Sequence, residues 1–136
     1  MLTKETYEVV VIGAGPGGLA AAIEAKKAGA QDVLVIERDV ELGGILLQCI
    51  HNGFGLQTFK EDLPGPEYAQ RYINEARAIG VEFLLDTMVM DVTPQRRLYL
   101  SSRQHGYFTL DARAIVLAMG CRERTRAQIR IPGMRP

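Results

Sequence analysis

Glu8-Val9-Val10-Val11-Ile12, followed at once by Gly13-Ala14-Gly15-Pro16-Gly17-Gly18, is the stretch that decides how this chain folds. The first five residues are an apolar, β-branched run of the kind that forms a buried parallel strand. The next six contain G-x-G-x-x-G at Gly13, Gly15 and Gly18. That pattern alone is weak; its surroundings give it weight. Pro16 to Ala28 reads as a helix, because Ala20, Ala21, Ala22, Glu24, Ala25, Lys26 and Lys27 are good formers and Gly29 closes it. Val33 to Ile36 (VLVI) reads as a second strand. Strand, helix and strand within about 30 residues make one right-handed βαβ unit.

Each position of the glycine turn has a physical task. Gly13 permits a tight turn off the strand, Gly15 lets the backbone approach a pyrophosphate, and Gly18 lets the helix pack closely on the sheet. Pro16 costs little in the first helical turn, where its missing N–H has no partner to lose. The remaining free amides of that turn, with Gly17 among them, and the helix dipole favour a dianion. Glu37 stands at the end of the second strand, 24 residues after Gly13. A carboxylate there accepts hydrogen bonds from ribose hydroxyls and repels a 2′-phosphate, which favours NAD or FAD over NADP. Its removal is expected to cost roughly 1–3 kcal/mol of binding. The bland alternative is a plain turn before a helix, with Glu37 a surface acid.

Outward from this unit the pattern changes. Arg38 to Gly65 has no clean period and holds Gly43, Gly44, Gly53 and Gly55; a loop of this length is usually functional. Glu67 to Ile79 predicts a helix, with Tyr68, Tyr72, Ile73, Ala76 and Ile79 at helical spacing and Gly80 as terminator. Val81 to Leu85 predicts a third strand. Thr87 to Val92, Arg97 to Leu100 and Tyr107 to Leu110 predict a three-stranded antiparallel meander, with turns at Thr93-Pro94 and His105-Gly106. Ala114 to Ala118 (AIVLA) reads as a separate last strand ending at Gly120. The fold class is therefore α/β, a parallel sheet with a βαβ start and an antiparallel meander. The last fifteen residues carry five arginines against Glu123 alone, which reads as a solvated or boundary segment.

Composition narrows the function classes. At 136 residues the chain fits one domain, and sixteen basic residues against sixteen acidic ones leave no field to gather nucleic acid or an anionic membrane. Val9 to Ala22 is apolar, yet Glu8 and Glu24 bracket it and glycines interrupt it, so neither a targeting segment nor a membrane span is expected. Cys49 and Cys121 are too few for a disulfide framework, and with His51 and His105 they make no convincing metal set. A reducing, cytoplasmic setting is expected. Cys49 near His51 has two readings: a thiolate activated by imidazole, the one catalytic candidate, or a loop cysteine without a reaction role. Cys121 reads as a small apolar filler.

The chain resembles the FAD domain of the two-dinucleotide-binding, glutathione-reductase-like flavoproteins, the FAD-dependent pyridine nucleotide-disulfide oxidoreductase superfamily. Beyond the first motif, the resemblance rests on Glu37-Arg38 with Glu41-Leu42-Gly43-Gly44, on Ala114 to Gly120, and on Ile131-Pro132-Gly133. It implies a Rossmann-like fold, with FAD held by Gly13, Gly15, Pro16, Gly17, Gly18, Glu37, Arg38, Gly43, Gly44, Met119 and Gly120. It also implies NAD(P)H as co-substrate of a parent enzyme that passes hydride to flavin and on to an acceptor. Two departures stand out. Met119 replaces a usual threonine, and only Cys49 follows the glycine pair, where the disulfide reductases carry C-x-x-x-x-C. More narrowly, Gln48 to Gly55 and Met119 to Thr125 are similar to a bacterial FAD/NAD-linked dehydrogenase often encoded beside glycerol-3-phosphate dehydrogenase. Residues 1–136 are accordingly expected to be the N-terminal part of an FAD-binding domain, without its C-terminal return segment or an NAD-binding domain. The alternatives are a stand-alone module for NAD or adenine nucleotides, and a subunit that completes a flavin site with a partner chain. The expected partners are a small-molecule dinucleotide and either a second copy of the chain or a complementing C-terminal half.

Overall fold

Three short runs line up side by side, the first two apolar and the second of these buried on both faces. In the computed structural model, which describes residues 4–122 and 124–130, they are β1 (Thr6–Ile12), β2 (Val33–Ile36) and the second half of β6 (Gly106–Leu117), all parallel. β3 (Glu82–Leu84) adds a parallel strand outside β2, and β4 (Thr87–Val92) and β5 (Arg97–Ser102) complete the sheet in the order β3-β2-β1-β6-β5-β4. α1 (Pro16–Lys27) and α2 (Gly65–Ala78) follow β1 and precede β3 respectively. A four-residue turn, α3 (Arg126–Ile129), ends the described chain.

Alternation along β1 assigns the two cores. Val11, with Val33 and Val35, packs under Leu19, Ala22 and Ile23 of α1 and Ala69, Ile73 and Ala76 of α2. Val10 and Ile12, with Leu34 and Ile36, face Leu98, Leu100 and Leu110 of the meander. Every one of these side chains is buried, each valine, leucine and isoleucine stabilising the fold by roughly 1.5–3 kcal/mol and each alanine by about 1 kcal/mol or less. Both helices end as their glycines anticipate. Ala30 N–H donates to the Ala25 carbonyl and Gly29 N–H to Lys26, with Gly29 at φ +106°. Val81 donates to Ala76 and Gly80 to Arg77, with Gly80 at φ +80°. Both are six-to-one and five-to-two closures that satisfy the last carbonyls of a helix.

One expectation is corrected. The third meander strand and the last apolar strand, read separately from the sequence, are a single twelve-residue strand, β6. Asp111-Ala112-Arg113 looks like a polar break, but it is where the strand changes partner. Asp111 registers with Arg97 of β5 on one side and Thr6 of β1 on the other. Arg97 grips the Asp111 carboxylate through Nε and Nη2, both at 2.8 Å, and Arg113 reaches Glu8 at 3.3 Å. The charges are cross-strand ion pairs on an exposed face, not loop residues. Elsewhere the differences are small: α2 starts at Gly65 rather than Glu67, and the long loop contains a 3-10 helix, Gly44–Gln48. No helix among the described residues is long and apolar enough to cross a membrane.

Candidate functional site

The site is built where β1, β2 and β6 end together, at the carboxyl edge of the parallel strands, which is where α/β sheets of this kind take ligands. Gly13 leaves β1 at φ +106°, and a Cβ there would lie 2.3 Å from the Ala118 carbonyl oxygen. Only glycine fits between the two chain segments. A Cβ on Gly18 would sit 1.8 Å from the Gly13 carbonyl oxygen, so α1 rests directly on the turn. Gly15 and Gly17 differ: a Cβ on either meets nothing within 4 Å. Their open side is the approach to the helix start.

That start is prepared for an anion. Gly15 is the N-cap, Pro16 opens the helix, no side chain caps the first turn, and no acid stands in it. Its amides are left to a ligand or to water. The Gly43-Gly44 pair joins the same cradle. Gly43 N–H donates to the Ala14 carbonyl at 2.9 Å, and a Cβ on Gly44 would stand 3.0 Å from Gly15 Cα. Gly43 and Gly44 have φ of +120° and +56°. Two glycine blocks separated by some thirty residues are thus one surface.

Glu37 is 7% exposed, unusual for an acid with no ion-pair partner among the described residues. Its Oε2 accepts Ala14 N–H at 2.8 Å and its Oε1 accepts Asp39 N–H at 3.0 Å. Its backbone is also fixed, N–H to the Leu84 carbonyl and C=O to Thr87 N–H. Each carboxylate oxygen keeps a further lone pair. Arg38 beside it is exposed. At the end of β6, Ala118 N–H donates to the Ile12 carbonyl, Met119 is 67% exposed, and Gly120 turns at φ +68°. The fold thus gathers the candidate residues around a single edge. Ile131-Pro132-Gly133 lies outside the described residues.

The cysteines are less involved. Cys49 Sγ donates to the Ile45 carbonyl, whereas His51 Nδ1 contacts the Asn52 carbonyl and its ring lies 5.4 Å from Phe54. Thiol and imidazole are engaged separately. Cys121 is exposed, which overturns its reading as an apolar filler.

Two features escaped the sequence reading. Gly65 is one: a Cβ there would meet the Leu46 carbonyl oxygen at 2.4 Å and Cys49 Cβ at 2.7 Å. The start of α2 therefore presses on the 3-10 helix that carries Gly44; the Pro-Gly-Pro at 64–66 was the available signal. The other is a ring cluster of Phe54, Phe59, Tyr68 and Tyr72, with the Arg71 guanidinium over Phe59. It packs the irregular loop onto α2. The Tyr68 hydroxyl bond, then burial, pushes the Tyr72 phenol above its ordinary value.

Comparison with known proteins gives the family and the fold. Residues 7–136 match the family model described as pyridine nucleotide-disulphide oxidoreductase. A thioredoxin reductase of Ureaplasma parvum serovar 3 is 34% identical over 86 residues, covering 62% of this chain and 26% of that protein. That of Bacillus subtilis is 27% identical over 136 residues, covering 98% of this chain and 39% of that protein. Among solved structures, a thioredoxin reductase from Streptococcus pyogenes superimposes with a TM-score of 0.73 over 90% of this chain and 38% of that one, at 20% identity, a likeness of fold. The chain thus spans well under half the length of these relatives.

Proposed function

Because the chain belongs to the pyridine nucleotide-disulphide oxidoreductase family, we propose that it is the FAD-binding part of an FAD-dependent oxidoreductase, one that passes hydride between NAD(P)H and flavin to an acceptor. The observation that carries this is the uncapped start of α1, open at Gly15 and Gly17 and flanked by buried Glu37. The residues fit the group. Amides of the first turn and the Gly43-Gly44 edge would hold the pyrophosphate, Glu37 and Arg38 would face the adenosine ribose, and Met119-Gly120 would pass close to the flavin end. Bound there, FAD supplies the redox chemistry, and the protein supplies orientation.

This chain's own contribution is electrostatic and steric. Main-chain donors offset the diphosphate charge, and no acid stands within the first turn itself. With no C-x-x-x-x-C pair after Gly44, no dithiol of that spacing delivers electrons from this chain. A further segment completing the sheet belongs to the same proposal. Among the described residues, β6 beyond Ala112, whose N–H donates to the Arg96 carbonyl, pairs with β1 only, so one edge of Arg113–Leu117 is available to another strand. That segment is either a continuation of the same protein or a partner chain.

The test is a titration of the chain with FAD and with ADP, followed by flavin fluorescence and calorimetry. ADP is expected to bind and to compete with FAD, and the chain alone is expected not to oxidise NADH. Absence of any ADP or FAD binding, by the chain alone or with the remaining sequence added in trans, refutes the assignment.

A further inference from the structure

We infer that Glu37 is a positioning residue for the phosphate loop, so that diphosphate affinity depends on its carboxylate even when a ligand has no ribose hydroxyl to offer. This rests on the nucleotide reading above and deepens it. Ala14 is fully buried between the two glycines that shape the turn. Its N–H is held by Glu37 Oε2, and its carbonyl receives Gly43 N–H. The same carboxylate takes Asp39 N–H, and the Asp39 carbonyl takes Asp86 N–H. One side chain therefore links the turn after β1, the turn after β2 and the turn between β3 and β4. Through Ala14 it is also one step from the glycine pair.

Both partners of Glu37 are donors, and this dictates the group. A carboxylate accepts at both oxygens, whereas a glutamine presents one acceptor and one NH2. With Gln at 37, either Ala14 N–H or Asp39 N–H faces another donor and must leave it. An aspartate is a methylene too short to span the gap. Loss of the Ala14 bond would free the peptide that sets the Gly13–Gly15 turn, and with it the direction of the first-turn amides.

The experiment compares ADP with 2′,3′-dideoxy-ADP on the wild type and on Glu37→Gln, by calorimetry. Dideoxy-ADP is expected to weaken by about tenfold or more, the range for a buried donor left unpaired, and ADP by at least as much, since it also loses its ribose contact. If dideoxy-ADP binds the variant as well as the wild type while ADP weakens, Glu37 acts only on the ribose and the inference fails. A wild type that binds neither ligand sinks the nucleotide reading instead.

A second measurement requires no variant. The scalar coupling across the hydrogen bond from Ala14 N–H to the Glu37 carboxylate carbon is expected in the free chain and to persist with ADP. Its absence from the free chain, or its loss on adding ADP, overturns the proposal whatever the fate of Glu37→Gln.

Discussion

Gly18→Ala adds a single carbon and tests how the first helix is seated. The new Cβ would lie 1.8 Å from the Gly13 carbonyl oxygen and 3.0 Å from its carbon, and both are backbone, so no side chain can swing away. Ordinary contact requires the start of α1 to retreat by more than about 1 Å. A radial gap of that size forfeits a quarter to a half of the dispersion energy of the atoms it separates. Those atoms belong to Leu19, Ala22 and Ile23 against Val11, among the most buried of the chain. Overpacking of this kind costs about 1–3 kcal/mol, and with backbone on both sides the upper end applies. Alanine's better helix propensity offsets less than about 1 kcal/mol of it. The net expectation is a loss of about 2 kcal/mol, read as a lower urea midpoint at unchanged slope. Gly17→Ala is the control: it stands in the same turn, its Cβ meets nothing within 4 Å, and its stability should equal or slightly exceed the wild type. Equal midpoints for the two variants would refute the seating of α1 on Gly13.

Gly15→Val should cost only about 1 kcal/mol of stability in urea unfolding, the loss of a glycine N-cap, since its Cβ is in open space and φ is −72°. ADP affinity should fall by about 100-fold or more, by calorimetry, because the branched carbons occupy the diphosphate's approach. Gly65→Ala should destabilise by about 2 kcal/mol, seen in urea unfolding, as its Cβ meets the Leu46 carbonyl oxygen at 2.4 Å; unchanged stability would mean that α2 does not press on the 3-10 helix. In acid, Asp111 and Glu61 are two carboxylates whose ion pairs are lost. The hydrogen bond from Arg97 holds the Asp111 carboxyl below its ordinary value, and that from Arg71 does the same for Glu61. A lowered folded-state value means that the stabilisation is complete above the ordinary carboxylate range. It disappears as pH falls through the lower value, so the pH-dependence of unfolding should flatten in that acid window in Asp111→Asn.

How much of this was legible beforehand follows from the range of each interaction. The βαβ unit, both helix stops and the glycine turn were readable because periodicity, Gly29, Gly80 and Pro16 act within a few residues of themselves. The two-faced use of β6 was not. Asp111 and Arg113 look like loop residues until Arg97 and Glu8, far away in sequence, supply the opposite charges. The contact between Gly44 and Gly15 was equally hidden: both glycines were conspicuous, but nothing local says that they touch. Cys121 misled for a different reason. A lone cysteine is commonly a small buried side chain, but this one lies past Gly120, beyond the end of β6, and is exposed.

The change of partner along β6 explains why the cradle is so constrained. β6 must leave the meander at Asp111 and run beside β1 as far as Leu117 if Ala118 is to reach Gly13. Register is carried by pairings from Thr6 with Asp111 to Ile12 with Leu117, so a slip of one residue at the switch would turn every β6 side chain beyond it to the other face. It would also carry the Ala118 carbonyl away from Gly13, removing the contact that makes glycine obligatory there. The exposed Arg97–Asp111 pair, worth little as a surface ion pair, therefore matters more as a marker of register than as a source of stability. A nucleotide site at the far end of the strand depends on where that strand begins to follow β1.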